Sequence, residues 1–295
     1  MKIEAVGIVF NPISGSGKGG VIARDLSLAL RERGFLVSVS EVLPLFESGG
    51  VSEFLGGVDL LLLVGGDGSL MYFLDDLVSS QTPVYLVPAG NESLFAREFS
   101  MSRAVAEVVS AIEHGEVSKH FVGEANGRKF FTMVSAGLDS QVVQLISASR
   151  SGTINHFSYI APTVKSLFGH KPFRFSLTVD GKEVLSGVEG FLVISNNKQY
   201  ACRLKLAPEA LSSKRELVVR FFPYARIYSF ILWLLKVRFA NKLMIQQAPV
   251  FFGNSVTFQA TGTENYPVQA DGEYLGESPV RVSILDSTIN VLHHN

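Results

Sequence analysis

The chain has a single cysteine, Cys202, in 295 residues, which excludes an internal disulfide framework and leaves no thiolate set for a zinc site. A reducing compartment is the expectation that follows. Positive charge is not in excess either, because 26 Lys and Arg stand against 27 Asp and Glu. Without that excess nothing draws the whole molecule onto nucleic acid or anionic lipid, so no nucleic-acid partner is expected and any basic site is local. The six histidines, His114, His120, His156, His170, His293 and His294, show no paired metal-ligand spacing. Gly15-Ser16-Gly17 lacks the Gly-x-Ser-x-Gly frame of a serine-hydrolase elbow. Long uncharged apolar runs are also missing. The start, Met1-Lys2-Ile3-Glu4, passes straight into strand-like sequence, so no signal peptide is expected. Between Ile227 and Leu243, Lys236, Arg238 and Lys242 interrupt the apolar residues short of the ~18 that a spanning helix needs. A cytoplasmic protein is the expectation. The mean hydropathy of +0.27 and that charged apolar stretch keep a peripheral place at the inner membrane face as the alternative.

Two domains fit within this length. Through about residue 120, apolar runs alternate with helical spacing: Ile3–Phe10, then Ile22, Leu26, Ala29 and Leu30 ending at Gly34, then Phe35–Val42, Val58–Val64, a helix from about Ser69 to Val78, Pro83–Val87, and helical patterns through Leu94 to Phe99 and Ala104 to Ile112. Such alternation predicts an α/β domain over residues 1–120 with a parallel sheet covered on both faces and ligands at the strands' carboxyl ends. From about Ser118 the runs become β-rich, at His120–Gly123, Lys129–Val134, Phe173–Val179, Phe191–Ser195, Leu217–Phe222, Val256–Gln259 and Val268–Ala270. Asp180-Gly181 and Asp271-Gly272 read as hairpin turns between them. A second, mainly antiparallel domain is therefore expected over 121–285, with helical interruptions at Gln141–Ser149, Ser158–Phe168 and Tyr224–Lys242. Residues 286–295 form a tail that packs back on the first domain.

Two glycine-rich turns carry the strongest functional signal. Asn11-Pro12-Ile13-Ser14-Gly15-Ser16-Gly17-Lys18 follows the first apolar run, and Gly65-Gly66-Asp67-Gly68-Ser69 follows Leu60-Leu61-Leu62-Leu63-Val64. Glycine lets phosphate oxygens approach the backbone, and the amides that open the next helix supply partial positive charge. The first turn is not a P-loop, since Pro12 and Gly19 occupy two of its required positions. An ordinary βα turn remains its alternative. In the second turn, Asp67 would repel a bare phosphate but suits a metal that bridges phosphates, or a nucleotide donor group. A tight turn with an Asp cap is the alternative there.

These blocks occur in the order seen in a known family. Asn11-Pro12 with Ser14-Gly15, Gly65–Ser69, Pro88-Ala89-Gly90-Asn91-Glu92-Ser93-Leu94-Phe95-Ala96-Arg97, Ala136-Gly137-Leu138-Asp139, Ala207-Pro208-Glu209-Ala210 and Asp271-Gly272-Glu273 together resemble the diacylglycerol kinase catalytic-domain family, which includes bacterial lipid kinases and sphingosine kinases. The resemblance spans nearly the whole chain. It implies a nucleotide-binding α/β domain, a β-sandwich substrate domain, an active site between them, ATP and Mg2+ as cofactors, and transfer of the γ-phosphoryl group to a lipid hydroxyl at a membrane surface. Carried over residue by residue, it implies nucleotide contacts at Asn11, Ser14, Gly65, Gly66, Asp67, Gly68, Ser69, Gly90, Asn91 and Ser93. It also implies metal contacts at Asp67 and Asp271, and catalysis by Asp271 as base with Glu273 in support.

This chain departs from the family's pattern in places. Lys214-Arg215 stands where an Asp-Gly usually supports a structural magnesium, Ala201-Cys202-Arg203 replaces a glycine-rich stretch, and Met71-Tyr72 replaces a polar pair. A catalytically degenerate nucleotide or lipid binder, and a kinase of a soluble hydroxyl acceptor, are the alternatives these leave open. A homodimer stays open as well.

Overall fold

Five consecutive apolar residues, Leu60 to Val64, leave no polar face for solvent, which suits a strand covered on both sides. In the computed structural model they lie in β3 (Leu60–Gly65), buried throughout. The description covers residues 2–90, 93–148, 173–201, 204–223, 235, 248–261 and 265–294. Asn91, Arg150, Lys165, Cys202 and Arg203 lie outside it, as do the helical readings at 158–168 and 224–242 apart from Leu235. The chain divides into two units, Met1–Phe121 with Ser287–Asn295, and Val122–Asp286. Among the described residues, no helix is long and apolar enough to cross a membrane.

In the first unit β3 lies between β1 (Ala5–Phe10) and β4 (Val84–Pro88), and β2 (Leu36–Glu41) forms the edge beyond β1, all parallel. The helix α2 (Gly19–Glu32) buries Ala23, Leu26 and Leu30, spaced by three and four residues as a one-sided helix requires. Its counterpart α5 (Asp67–Ser80) buries Leu70, Phe73, Leu74 and Leu77. At the exposed edge, the Arg31 guanidinium donates to the Val37 carbonyl at 2.9 Å, covering one of the groups by which an edge strand recruits another chain. The chain returns to this unit at its end, where Val291 of β15 (Val280–His293) pairs in parallel with Val84. Gln81 donates to the Thr288 carbonyl at 2.8 Å and Asn290 donates to the Gln81 carbonyl at 2.7 Å, fixing that return.

The second unit is antiparallel throughout its described pairings. Its central strand β9 (Lys182–Ser195) pairs through its first half with β8 (Phe173–Val179). Its second half lies between β7 (Met133–Ala136) and β10 (Leu217–Pro223). The exposure follows that pairing: the first eight residues are accessible and the last six are buried. β13 (Pro267–Ala270) pairs with β7 and with β14 (Glu273–Glu277), so the Asp271-Gly272 turn sits beside the start of β7.

Three differences from the sequence reading have physical causes. The expected strand Lys129–Val134 is broken into β6 (Arg128–Phe130) and β7, because the amides of residues 131–133 donate to the Asp271 carboxylate rather than to a neighbouring strand. β15 begins well before the expected tail, and its alternation changes phase at Asp286-Ser287-Thr288, where the chain passes from one unit to the other. Two six-residue helices, α3 (Val42–Glu47) and α4 (Val51–Gly56), flank Gly49-Gly50 and are too short for helical periodicity to stand out.

Arg220, on β10, is wholly buried, and its Nη2 lies 2.5 Å from Glu209 Oε2. Nη1 also donates to the Ala248 carbonyl at 3.2 Å. Breaking a buried ion pair from one side leaves the other charge in low dielectric, which costs about 3–5 kcal/mol, less where one partner is accessible. Glu209 is partly exposed, so Glu209→Ala is expected to lower unfolding stability by about 2–3 kcal/mol and Glu209→Gln by less, as read from urea unfolding curves.

Candidate functional site

Three loops of the first unit meet at the carboxyl ends of β1, β3 and β4. After β1, the Asn11 amide donates to the Val64 carbonyl at 3.0 Å, and Asn11 Oδ1 accepts from the Ile13 amide at 3.1 Å. The single turn α1 (Ser14–Gly17) departs from helical geometry, with φ of 60° at Gly15, 60° at Ser16 and 85° at Gly17. Ser16 has a Cβ, and the left-handed region costs such a residue roughly 1–2 kcal/mol. Glycine at position 15 is favoured by its positive φ and required by the Ala89 carbonyl, which occupies the place a Cβ would take. A turn that changes hand in this way forms an amide-lined hollow suited to anions.

After β3, the Gly65 carbonyl accepts from the Ala89 amide at 3.0 Å, which ties the second loop to the third. A Cβ at Gly65 would collide with the hydroxyl of Ser69, a residue only 4% exposed, and would lie 3.9 Å from Ser14 Oγ. Asn11 Nδ2 donates to Ser69 Oγ at 3.5 Å, linking the first loop to the second. Gly66, Gly68 and Gly90 have open space where a Cβ would stand. Asn11, Ser14, Gly65, Ser69 and the Gly90 loop therefore come together, as a phosphate cradle requires.

Asp67 faces the third loop. Its Oδ1 accepts from Ser93 Oγ at 2.7 Å and from the Phe95 amide at 3.2 Å, and its Oδ2 accepts from the Leu94 amide at 2.8 Å. Ser93 Oγ in turn accepts from the Ala96 amide at 3.2 Å, so the two side chains cap α6 (Leu94–Glu98) together. Burial pushes the Asp67 carboxyl above its ordinary range, against the opposing pull of these donors and of Arg97. The donor set accommodates magnesium in one way. Oδ2 receives one hydrogen bond where Oδ1 receives two, so Oδ2 is the atom that would hold a magnesium ion. Among the described residues, no three His, Cys, Asp or Glu cluster as a self-sufficient metal site.

In the second unit, Asp271 and Gly272 adopt φ of 49° and 82° between β13 and β14. Asp271 Oδ1 accepts from the amides of Thr132 and Met133, both at 2.9 Å, and Oδ2 accepts from the Phe131 amide at 2.7 Å. The other Asp-Gly turn is an internal comparison. Asp180 and Gly181 have nearly the same φ, 46° and 80°, and Asp180 Oδ1 accepts from the amides of Asn254 and Ser255 at 2.9 and 2.8 Å. Both aspartates thus fasten a remote segment to their turn. Glu273 opens β14 and is partly buried.

What separates the two turns lies under the second one. Asp139, at the start of α8 (Leu138–Ala148), accepts through Oδ2 from Ser135 Oγ and from the Tyr200 hydroxyl at 2.9 Å, and through Oδ1 from the Ser140 amide at 2.7 Å. Gln269 Nε2 donates to Ser135 Oγ at 2.5 Å, and Gln269 Oε1 accepts from the Gly272 amide at 2.7 Å. Sequence reasoning singled out none of these as site residues. Asp139 stood in a recognised block and Gln269 two positions before Asp271, but Tyr200 carried no signal. The Lys214-Arg215 pair is engaged locally: Lys214 Nζ lies 2.7 Å from Glu216 Oε2, and Arg215 Nε lies 2.6 Å from Asp286 Oδ1.

Burial also raises the Asp139 carboxyl above its ordinary value, outweighing the Ser135, Tyr200, Ser140 and Gln269 donors. A carboxyl raised on folding contributes stability below its unfolded pKa and loses it as pH climbs through the folded value. The stability of the unaltered chain relative to Asp139→Asn is therefore expected to fall as pH climbs above about 4, the ordinary carboxyl value, and on through the raised folded value, as read from paired denaturant titrations.

Comparison with known proteins places this geometry. Residues 5–125 match the family described as "Diacylglycerol kinase catalytic domain", and residues 132–293 match the "YegS C-terminal NAD kinase beta sandwich-like domain". A protein of Staphylococcus aureus named "Putative lipid kinase" is 21% identical over 281 residues, covering 93% of this chain and 88% of that one. Another of that name, from Staphylococcus haemolyticus, is 25% identical over 146 residues, and the match spans about half of each, 49% of this chain and 47% of the relative. A solved structure titled "Crystal structure of a putative diacylglycerol kinase from Bacillus anthracis str. Sterne" superposes with a TM-score of 0.77 at 18% identity, covering 100% of this chain and 99% of that one. That likeness carries the fold: an α/β domain with parallel strands followed by a β-sandwich-like domain. With both of its domains matched in order along nearly the whole sequence, the chain belongs to the diacylglycerol kinase family.

Proposed function

We propose that this chain is an ATP- and magnesium-dependent kinase that transfers the γ-phosphoryl group to a lipid hydroxyl, diacylglycerol-like or sphingoid-like, at a membrane surface. The observation that carries the reading is the set of three loops at the ends of β1, β3 and β4, where a left-handed Ser-Gly turn is locked against the start of α5 and against Ala89. Amides from residues 15–18 and from the start of α5 would hold the phosphates, the Ser14 amide being taken by the Asn11 carbonyl at 3.1 Å. Asn11, Ser14 and Ser69 shape that hollow, Gly66, Gly68 and Gly90 leave it open, and Ser93 with Asp67 fixes its third wall. A bound magnesium ion, taken by Asp67, would spread the charge of the transferring phosphate. The acceptor oxygen forms its bond to the γ-phosphorus as the bond to the β–γ bridging oxygen breaks, ADP leaves, and the hydroxyl proton passes to the Asp271 carboxylate. Glu273 supports that base.

A second reading, a nucleotide or lipid binder without turnover, draws on the likeness between Asp271 and Asp180, both held by backbone amides. The two readings differ in one assay. Incubated with ATP, magnesium and a panel of hydroxylated lipids in mixed micelles, the purified chain is expected to yield phosphorylated lipid, and Asp271→Asn is expected to lower kcat by about 10²–10⁴-fold with the fold intact by circular dichroism. Saturable ATP binding with no transfer to any lipid would favour the binder, and undiminished transfer by Asp271→Asn would remove its role as base.

A further inference from the structure

The second unit spends a buried polar network on a two-residue turn. Ser135 and Gln269 are 1% and 4% exposed, and polar groups at that depth are tolerated only when each finds a partner. Here each does, in one direction: the Gly272 amide donates to Gln269 Oε1 at 2.7 Å, Gln269 Nε2 donates to Ser135 Oγ at 2.5 Å, and the Ser135 hydroxyl donates to Asp139 Oδ2. Tyr200 donates to the same carboxylate oxygen, and the Ser140 amide donates to the other. The orientation of the Gln269 amide follows from chemistry, because only its oxygen can meet the Gly272 N–H and only its nitrogen can meet an acceptor chain ending on a carboxylate.

This arrangement exceeds what the turn needs. Asp180-Gly181 holds the same backbone conformation with its carboxylate contacts, and among the described residues no side chain accepts from the Gly181 amide. At Asp271, carboxylate contacts hold the Asp side of the turn against residues 131–133, and the Gln269 carbonyl holds the Gly side. With both sides tied, the peptide between Asp271 and Gly272 cannot rotate without breaking the bond from the Gly272 amide to the buried Gln269 side chain. Asp139 anchors the chain from a different element, α8, so the turn is referenced to a helix as well as to its own hairpin.

We propose that Gln269, fixed by Ser135 and Asp139, is a positioning residue that holds the Asp271-Gly272-Glu273 turn in the one orientation productive for phosphoryl transfer. It acts through the Gly272 amide and touches no substrate. The proposal rests on the kinase reading above. Misplacement of a catalytic group by about 1 Å is enough to cost on the order of a hundredfold in rate without weakening substrate binding.

Gln269→Met keeps the side chain's length and removes all three of its hydrogen bonds, to the Gly272 amide, to Ser135 Oγ and, at 3.4 Å, to Asp139 Oδ2. It is expected to lower kcat about tenfold to a hundredfold with the KM for ATP unchanged within about twofold, and to speed hydrogen exchange of the Gly272 amide about tenfold or more. Asp180→Ala, in the comparison turn, is expected to lower the melting temperature and leave kcat unaltered. Should Gln269→Met fail to fold, Ser135→Ala removes the hydroxyl that receives Gln269 Nε2 and is expected to shift both readouts in the same direction by a smaller factor. Unchanged exchange at Gly272 would overturn the network, whatever the activity. Faster exchange with undiminished kcat, or an equal loss of kcat in Asp180→Ala, would overturn the positioning role. If the unaltered chain transfers phosphate to no lipid, the kinase reading itself fails and the role falls with it; in the other failures the unaltered chain is active, so the two are told apart.

Discussion

Backbone amides that point away from a helix or a sheet need acceptors, and in this chain aspartate carboxylates supply them across long stretches of sequence. Asp59 accepts from the amides of Glu4 and Ala5, Asp67 from Leu94 and Phe95, Asp180 from Asn254 and Ser255, and Asp271 from Phe131, Thr132 and Met133. A charge-assisted bond to a carboxylate is roughly twice as strong as one between neutral groups. Each of these side chains thus fastens the start of a strand, a helix or a turn that local sequence preference leaves loose. The candidate site in each unit is built on one of them.

The same device explains why the site is rigid where it must be and strained where it can be. Asp67 and Ser93 complete the first turn of α6, whose five residues are too few to be stable alone. That capped turn follows the Gly90 loop, and the Ala89 carbonyl of that loop confines Gly15. The left-handed Ser16 is held in place by this packing rather than by its own preference. In the second unit, Asp271 interrupts the β6–β7 run by taking the amides that would otherwise extend it.

Much of this was legible in the residues. The run Leu60–Val64, the one-sided spacing of Leu26 and Leu30, and the glycines at 65, 66 and 68 carried the parallel sheet, its helices and the turn at the carboxyl end of β3, because each pattern has one inexpensive physical solution. The break at Phe131-Thr132 was illegible, since its cause sits on Asp271, far along the chain. The start of β15 was masked by its change of phase at Asp286 to Thr288, and α3 and α4 by their brevity. For the site, Asp67 and Asp271 stood out as acids within glycine turns, but their partners did not: a carboxylate's choice between a metal and a backbone amide is a tertiary fact. Gln269 and Tyr200 look like any strand glutamine and any tyrosine until the fold brings them beside Asp139.

The reading of this chain as a kinase depends most on where a nucleotide comes to rest, and a crystal structure with magnesium and a non-hydrolysable ATP analogue tests that directly. The account predicts phosphate oxygens on the amides of residues 15–18 and of the start of α5, with Asp67 still accepting from Leu94 and Phe95. An analogue bound away from these turns, or an Asp67 carboxylate drawn off α6 altogether, would contradict it.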